Sequence, residues 1–373
     1  MQNIFGVAKY IEHVTSTTLN DAISQLQTTH PSGFLILCCD NGLDDRTSLD
    51  QTLQTIAQPV FGGVFPNIIH QDTAYETGML IIPMHAQLEV KVFEGLSECH
   101  ENKFSIHFAM QDFSTVLMLV DGLARGIGNA LNQVFQKFGQ SLQVFGGGAG
   151  SLSFNQMPCL FTPKGIIKDA MLLVAIKQDV ELAIGHGWEV LEGPFLANQV
   201  DDNQILQLNF EPAYQVYKDV IERHDARELD TENFFEIASS YPFGLERLDE
   251  KLLVRDPITV NDQALVCVGR VPENTMLYIL KGHADSLIEA AASAIQEKTV
   301  SKDIQATLLF DCISRKLFLG DKFTQELHKI RHTLGENTPL FGALALGEIA
   351  SGKAGGIDLH NKTAVAAIVM SSD

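Results

Sequence analysis

The chain has 373 residues, 45% of them hydrophobic and 19% charged, with a formal net charge of −20. That is ample apolar material for two cores of ordinary size and rules out a disordered, low-complexity chain. The negative field argues against nucleic acid or an anionic membrane as partner; a small neutral or cationic ligand, or a basic protein surface, is compatible with it.

At the N-terminus, Met1 to Tyr10 lacks the basic and apolar regions of a secretory leader. The first long apolar run is Phe34-Leu35-Ile36-Leu37-Cys38-Cys39, a buried strand by length. An acidic turn, Asp44 and Asp45, leads into a helix with Leu49, Leu53 and Ile56 on one face, and then into Pro59-Val60-Phe61-Gly62-Gly63. The plan recurs. Val116–Val120 reads as a strand, Asp121 as a helix N-cap, and Leu123, Ile127, Leu131, Val134, Phe135 and Phe138 as one helix face before Gln143-Val144-Phe145-Gly146-Gly147. A third copy runs from Thr307–Phe310 through Phe323, Leu327, Ile330 and Leu334, stops at Gly335, and ends in Pro339-Leu340-Phe341-Gly342-Ala343. Each copy continues into a return strand: Met79–Met84, Met171–Ile176 and Thr363–Met370.

Between the second and third copies the pattern changes. Glu211-Pro212-Ala213 opens a helix with Ala213, Val216, Tyr217 and Val220 inward. The polar segment Glu222–Asn233 reads as a loop or helix end, followed by a strand pair (Leu252–Arg255 with Ala264–Val268), a strand at Met276–Leu280 and a helix at Ser286–Ile295. The fold class is therefore α/β, with two domains of mixed sheets covered by helices and built from repeated strand-helix-strand-strand units. The polar run Asn198–Asn203 places the boundary near residue 200, giving domains 1–200 and 201–373.

Several groups could carry chemistry. The six cysteines, at 38, 39, 99, 159, 267 and 312, form neither a disulfide framework nor a CxxC clip, as in a cytosolic protein with reduced thiols. Cys38-Cys39 fits strand packing, with a redox or thiolate-ligand role as the sharper alternative. His328 and His332 stand one helical turn apart but lack the Glu of HExxH and face away from the apolar stripe. Cys99, His100 and His107 match no metal spacing. Gly146–Ser151 is Gly-rich but lacks the P-loop Lys, so it reads as a structural corner. No GxSxG elbow or nucleophile–base pair is present, so the chain reads as a non-enzyme, with an uncharacterised hydrolase as the third reading.

Gly185-His186-Gly187-Trp188, followed by Glu211-Pro212-Ala213 and Tyr217, resembles the junction between the halves of FIST domains. Tyr241-Pro242-Phe243-Gly244 and Leu253-Val254-Arg255-Asp256 are similar to further elements of that family. So are Gly347-Glu348-Ile349 and Leu359-His360-Asn361-Lys362-Thr363, with Lys362 in place of the usual Gln. The resemblance implies a cytoplasmic bacterial sensory protein with an N-terminal and a C-terminal FIST domain. It would signal in trans to a histidine kinase or to a cyclic-di-GMP synthase or phosphodiesterase, because no output domain or membrane-inserting segment is seen in the chain. Some stand-alone members bind haem and sense nitric oxide, and amino acids are proposed ligands of others. The leading expectation is haem b, held non-covalently on His186 beside Trp188, with the flanking glycines leaving room for the macrocycle. The alternative is an amino acid, its carboxylate on Arg255 and its ammonium on Glu348, with His360 and Asn361 nearby. Arg255 and Glu348 could instead pair with each other or cap backbone groups.

Overall fold

The computed structural model describes residues 4–43, 45–100, 103–247, 252–300, 303–352 and 355–370; Asp44 of the acidic turn lies outside them. The architecture is mixed α/β, and the repeated unit governs it. In each unit a lead strand (Gly33–Cys39, Thr115–Asp121 or Ile304–Cys312) is followed by a helix and by a parallel Phe-Gly strand (Val60–Phe65, Gln143–Ala149 or Leu340–Ala345). The chain then makes a short hairpin and comes back as an antiparallel return strand (Met79–Met84, Ala170–Ile176 or Ala364–Met370). A short strand pairs with the outer edge of each return strand: Lys9–Ile11, Leu88–Glu94 and Glu181–Gly185.

The glycine of each Phe-Gly pair has the same cause three times over. Gly62 lies opposite Ile36, Gly146 opposite Met118 and Gly342 opposite Leu309 on the parallel lead strand. A Cβ at these positions would stand 1.9, 1.8 and 2.1 Å from the carbonyl oxygen of that partner, so only glycine fits. The preceding phenylalanines, Phe61, Phe145 and Phe341, are buried. Each contributes about 2 kcal/mol by leaving water.

The hairpins do not stay with their own units. The first, Asn67–His70 with Thr73–Tyr75, extends the third sheet beside Leu340–Ala345. The second, Leu160–Thr162 with Gly165–Ile167, extends the first sheet beside Val60–Phe65. The third, Glu348–Ser351 with Ile357–His360, extends the second sheet beside Gln143–Ala149. The exchange closes a ring of three six-stranded sheets. Phe65, Phe145 and Phe310, one ring from each unit, meet inside it, with Phe310 6.2 Å from Phe65 and 6.3 Å from Phe145. Each hairpin covers an edge that would otherwise offer unpaired backbone groups.

An inserted module interrupts the third unit between residues 189 and 281. It carries its own core around Tyr217, Phe234, Phe243 and Ile279. Its first and last strands, Glu189–Ala197 and Thr275–Lys281, run antiparallel with Glu189 opposite Lys281, so both connections to the ring lie side by side. Trp188 closes this neck, since a Cβ on Gly282 would be 2.3 Å from its ring. The boundary expected near residue 200 falls within this module.

Three local expectations need correction. Asp121 does not cap a helix: it ends its strand, and its carboxylate accepts the Leu123 and Asp169 N–H groups (3.1 and 2.7 Å) and Gln156 Nε2 (2.8 Å). The helix Ile127–Phe138 begins instead after a left-handed Gly126. Leu252–Arg255 and Ala264–Cys267 are both strands but not partners: the first pairs with Phe243–Glu246, the second with Pro257–Asn261 and Gln204–Leu208. The third unit has an extra helix, Ile313–Leu319, before Phe323–Leu334.

Candidate functional site

The third hairpin leaves strand Ile357–His360 through Asn361-Lys362-Thr363 and enters the return strand at Ala364. This turn is polar yet buried, with all three residues at most 1% exposed, and Lys362 holds a left-handed φ of 51°. Thr363 Oγ1 donates to the Asn361 carbonyl at 2.7 Å, which keeps the turn tight. Trp188, Glu348, His360 and Asn361, all singled out in the sequence, lie at or beside it.

From the inserted module, Asp256 Oδ2 lies 3.2 Å from Lys362 Nζ and accepts Ser314 Oγ at 2.9 Å. The Asp256 N–H donates to Asn361 Oδ1 at 3.4 Å. From the neck, Trp188 Nε1 donates to the Lys362 carbonyl at 3.0 Å, and its ring lies 5.3 Å from the Lys362 ammonium. From the ring, Glu348 stands across the hairpin from His360 and accepts the Thr363 N–H at 3.4 Å. The Cys312 thiol lies among Glu348, Lys362 and Asp256.

Behind this group stands Arg315, which is fully buried. Its guanidinium pairs with Asp311 at 3.2 Å and with both oxygens of Glu326. It also donates to the carbonyls of His186 (2.7 Å), Leu287 (3.1 Å) and Lys362 (3.3 Å). The cluster thus collects four buried carboxyls against two buried cations, Arg315 and Lys362. Burial pushes the carboxyls of Glu348, Asp311 and Asp256 up. The nearby Asp311 adds to the rise at Glu348 and the nearby Glu326 to that at Asp311, while Lys362 offsets part of it at Asp256. Burial also raises the Cys312 thiol, followed by the nearby Glu348 carboxylate.

The decisive feature is polar atoms left over. Among the described residues, Asp256 Oδ1, Asp311 Oδ2, Glu348 Oε1 and Lys362 Nζ are buried without a hydrogen-bond partner. The Lys362–Asp256 contact is an ion pair lying off the hydrogen-bond direction. Such atoms are costly unless something meets them. Three acceptors are left without a donor, and the Lys362 ammonium makes no hydrogen bond beside its ion pair with Asp256.

Arg255 is buried, but its guanidinium is committed to the carbonyls of Arg270, Val254 and Leu359 at 2.9, 3.0 and 2.8 Å. Burial lowers its pKa to about 10. It caps backbone groups, pins the module to the third hairpin and makes no pair with Glu348. Arg247 does the same through Asp358 at 2.9 Å. His186 is half-buried, and its Nδ1 accepts the Trp188 N–H at 3.0 Å.

The room expected beside His186 for haem is filled. A Cβ at Gly185 would meet the Ala290 carbonyl at 2.4 Å, and one at Gly187 the Ser286 carbonyl at 2.5 Å. These glycines let helix Ala284–Thr299 approach, and Trp188 lies against Phe318 and Gly282. The residues around His186 do not fit a haem macrocycle in this structure.

The remaining candidates have local explanations. His328 and His332 are exposed, with His328 Nε2 3.8 Å from Asp72. Cys99 Sγ accepts Gln133 Nε2 at 3.0 Å. Cys38 and Cys39 are buried in their strand. The Gly146–Gly150 run lies against the Ala345–Gly347 corner, where the Gly148 N–H donates to the Gly347 carbonyl and the Gly148 carbonyl accepts the Leu346 N–H. A cleft of about 220 Å³ lined by Asp40, Arg46, Asp121 and Ser151 lies at the carboxyl ends of the first two lead strands. Its charges already have partners: Arg46 with Asp40 (2.6 Å) and the Pro158 carbonyl (2.7 Å), Asp121 with three donors.

The sequence reading passed over Asp256, Asp311, Arg315, Glu326 and Lys362 as functional residues. Asp311 ends an apolar strand and Arg315 follows by one helical turn, a pattern that marks a buried pair.

A titration prediction follows from Glu348. Its pKa is raised in the folded state, so the native chain holds a proton that the unfolded chain has released. Stability therefore falls as pH rises from the ordinary carboxyl range, about 4, through that raised value. Glu348→Gln lacks this penalty. Its melting temperature should gain on wild type between pH 5 and pH 8 in parallel thermal melts; a pH-independent difference would count against a protonated Glu348.

Sequence models described as the FIST N domain and the FIST C domain match residues 33–211 and 213–351. No curated protein matches the chain. Among the described residues, no helix is long and apolar enough to cross a membrane.

Proposed function

This chain belongs to the FIST family and is a sensory signal-transduction protein; on that premise we propose that it senses a small zwitterion of the amino-acid class at the buried cluster around Lys362. The observation that carries the reading is the set of unpartnered atoms. A ligand ammonium answers the acceptors of Asp256, Asp311 and Glu348, and a ligand carboxylate answers Lys362. Lys362 takes the role first expected of Arg255, while Asn361 and His360 shape the turn beside it.

The geometry also offers a route to a signal. The cluster joins the inserted module, through Asp256, to the ring, through Lys362, Ser314 and Glu348. Polar interfaces of this kind permit relative movement of the parts they join, and the backbone enters and leaves the module side by side at its two-stranded neck. A ligand that binds the closed arrangement more tightly shifts the population toward it. The output passes in trans, to a histidine kinase or a cyclic-di-GMP synthase or phosphodiesterase, in the cytoplasm. No catalysis is assigned to the chain.

The haem–nitric oxide reading would place the iron on His186. Its support is a half-buried imidazole beside Trp188; the packing of helix Ala284–Thr299 against both flanking glycines opposes it. Adding hemin to the full chain decides between the two. No shift of the Soret band is expected. A stoichiometric band that changes in His186→Ala would replace the amino-acid reading with the haem one.

A further inference from the structure

Residues 189–281 hold 18 acidic and 8 basic residues, a net of −10 and half of the chain's −20. At the far end of this module Leu208 pairs with Glu211, so Asn209 and Phe210 are the central residues of a two-residue hairpin turn. Both are left-handed, with φ of 50° and 67°. Such turns favour Asn followed by Gly, because the second position penalises any side chain. Phe210 takes the glycine's place and leaves its side chain 75% exposed. A bulky residue in that conformation, turned toward water, is strained without a packing return, and strain of this kind concentrates where function holds it.

The surroundings define what could cover it. The Phe210 N–H donates to Asn198 Oδ1 at 2.8 Å, and the Asn209 and Asn274 N–H groups donate to the carbonyls of Leu196 and Ala197 at 2.9 and 2.8 Å. Three turns are thereby gathered at one tip. They present Asp201, Asp202, Glu211 and Glu273, all exposed, with Met276 43% exposed opposite Leu196. A second copy of this chain would meet the same negative field, and so would an anionic membrane.

We propose that Phe210 and the acidic rim around it form the surface by which the inserted module docks on a partner protein, inserting the ring into an apolar pocket bordered by Lys and Arg. Charge complementarity selects the occupant, and the aromatic anchor supplies most of the affinity. The inference goes beyond the ligand reading and stands without it.

The test places a photo-crosslinking benzoylphenylalanine at position 210 of the full chain in its native cells, with position 7, also exposed, as control. The crosslinked protein is identified, purified and titrated against wild type, Phe210→Gly and Phe210→Trp. Expected are a heterologous adduct at position 210 only, binding that weakens as salt is raised, affinity retained in Phe210→Trp, and a loss of about tenfold or more in Phe210→Gly. Phe210→Gly should melt no lower than wild type, because glycine relieves the turn. No adduct above the control, an adduct only to a second copy, unchanged affinity of Phe210→Gly, or a lowered melting temperature of that variant would each overturn the proposal.

Discussion

Gly146→Ala is expected to cost about 4 kcal/mol or more, at the extreme end of single substitutions. The added methyl would lie 1.8 Å from the Met118 carbonyl oxygen, which is held in a parallel ladder and cannot retreat. Gly146 also has φ of 153°, where an alanine is strained regardless of space. The same substitution at Gly62 and Gly342 should be comparably severe, because the register opposite Ile36 and Leu309 is the same. Gly128 supplies the control of opposite sign: it lies in the helix Ile127–Phe138 with nothing within 4 Å of its missing Cβ. Gly128→Ala should stabilise by about 0.5–1 kcal/mol through helix propensity. Urea unfolding of the four variants reads both effects; a mild Gly146→Ala would mean that the three units do not share the close strand approach.

Arg315→Met should cost about 3–5 kcal/mol, the usual result of removing one side of a buried ion pair. Asp311 and Glu326 would lose their cation, and the carbonyls of His186, Leu287 and Lys362 would lose a donor. Arg315→Lys should recover little, since an ammonium cannot span acceptors set around a planar fork. The sign of the pH effect is fixed. Without Arg315 the buried carboxyls favour their protonated forms still more, so the deficit should be smaller at pH 5 than at pH 8. Unfolding at both pH values measures it, and a deficit that grows toward acid would contradict an anionic pair around Arg315.

The ring was legible in the sequence because its signals are local. Three apolar runs, three amphipathic helices and three Phe-Gly corners each mark a unit, and every return strand falls where the apolar pattern ends. The exchange of hairpins was not legible. Asn67–His70 pairs with Leu340–Ala345 across most of the chain, and nothing in either strand's composition names its partner. Leu252–Arg255 and Ala264–Val268 adjoin in sequence yet pair elsewhere for the same reason: the composition of neither segment names its partner. At the site, Glu348, His360, Asn361 and Trp188 came from motifs, and the structure gathers them around one turn. Lys362 and Asp256 stood beside those motifs, but their burial depends on the docked module, which no local pattern reports. His186 shows the opposite failure. Glycines that read as room for a cofactor are occupied by a helix backbone from residues 284–299.

The ligand reading is tested most directly by melting wild type and Glu348→Gln in parallel against each of the twenty amino acids at pH 7. A ligand bound only by the folded chain must raise the melting temperature. At least one amino acid is expected to raise that of wild type, and to raise that of Glu348→Gln by clearly less. Silence of wild type across all twenty, or equal shifts in the two proteins, would contradict a zwitterion held at Glu348 and Lys362.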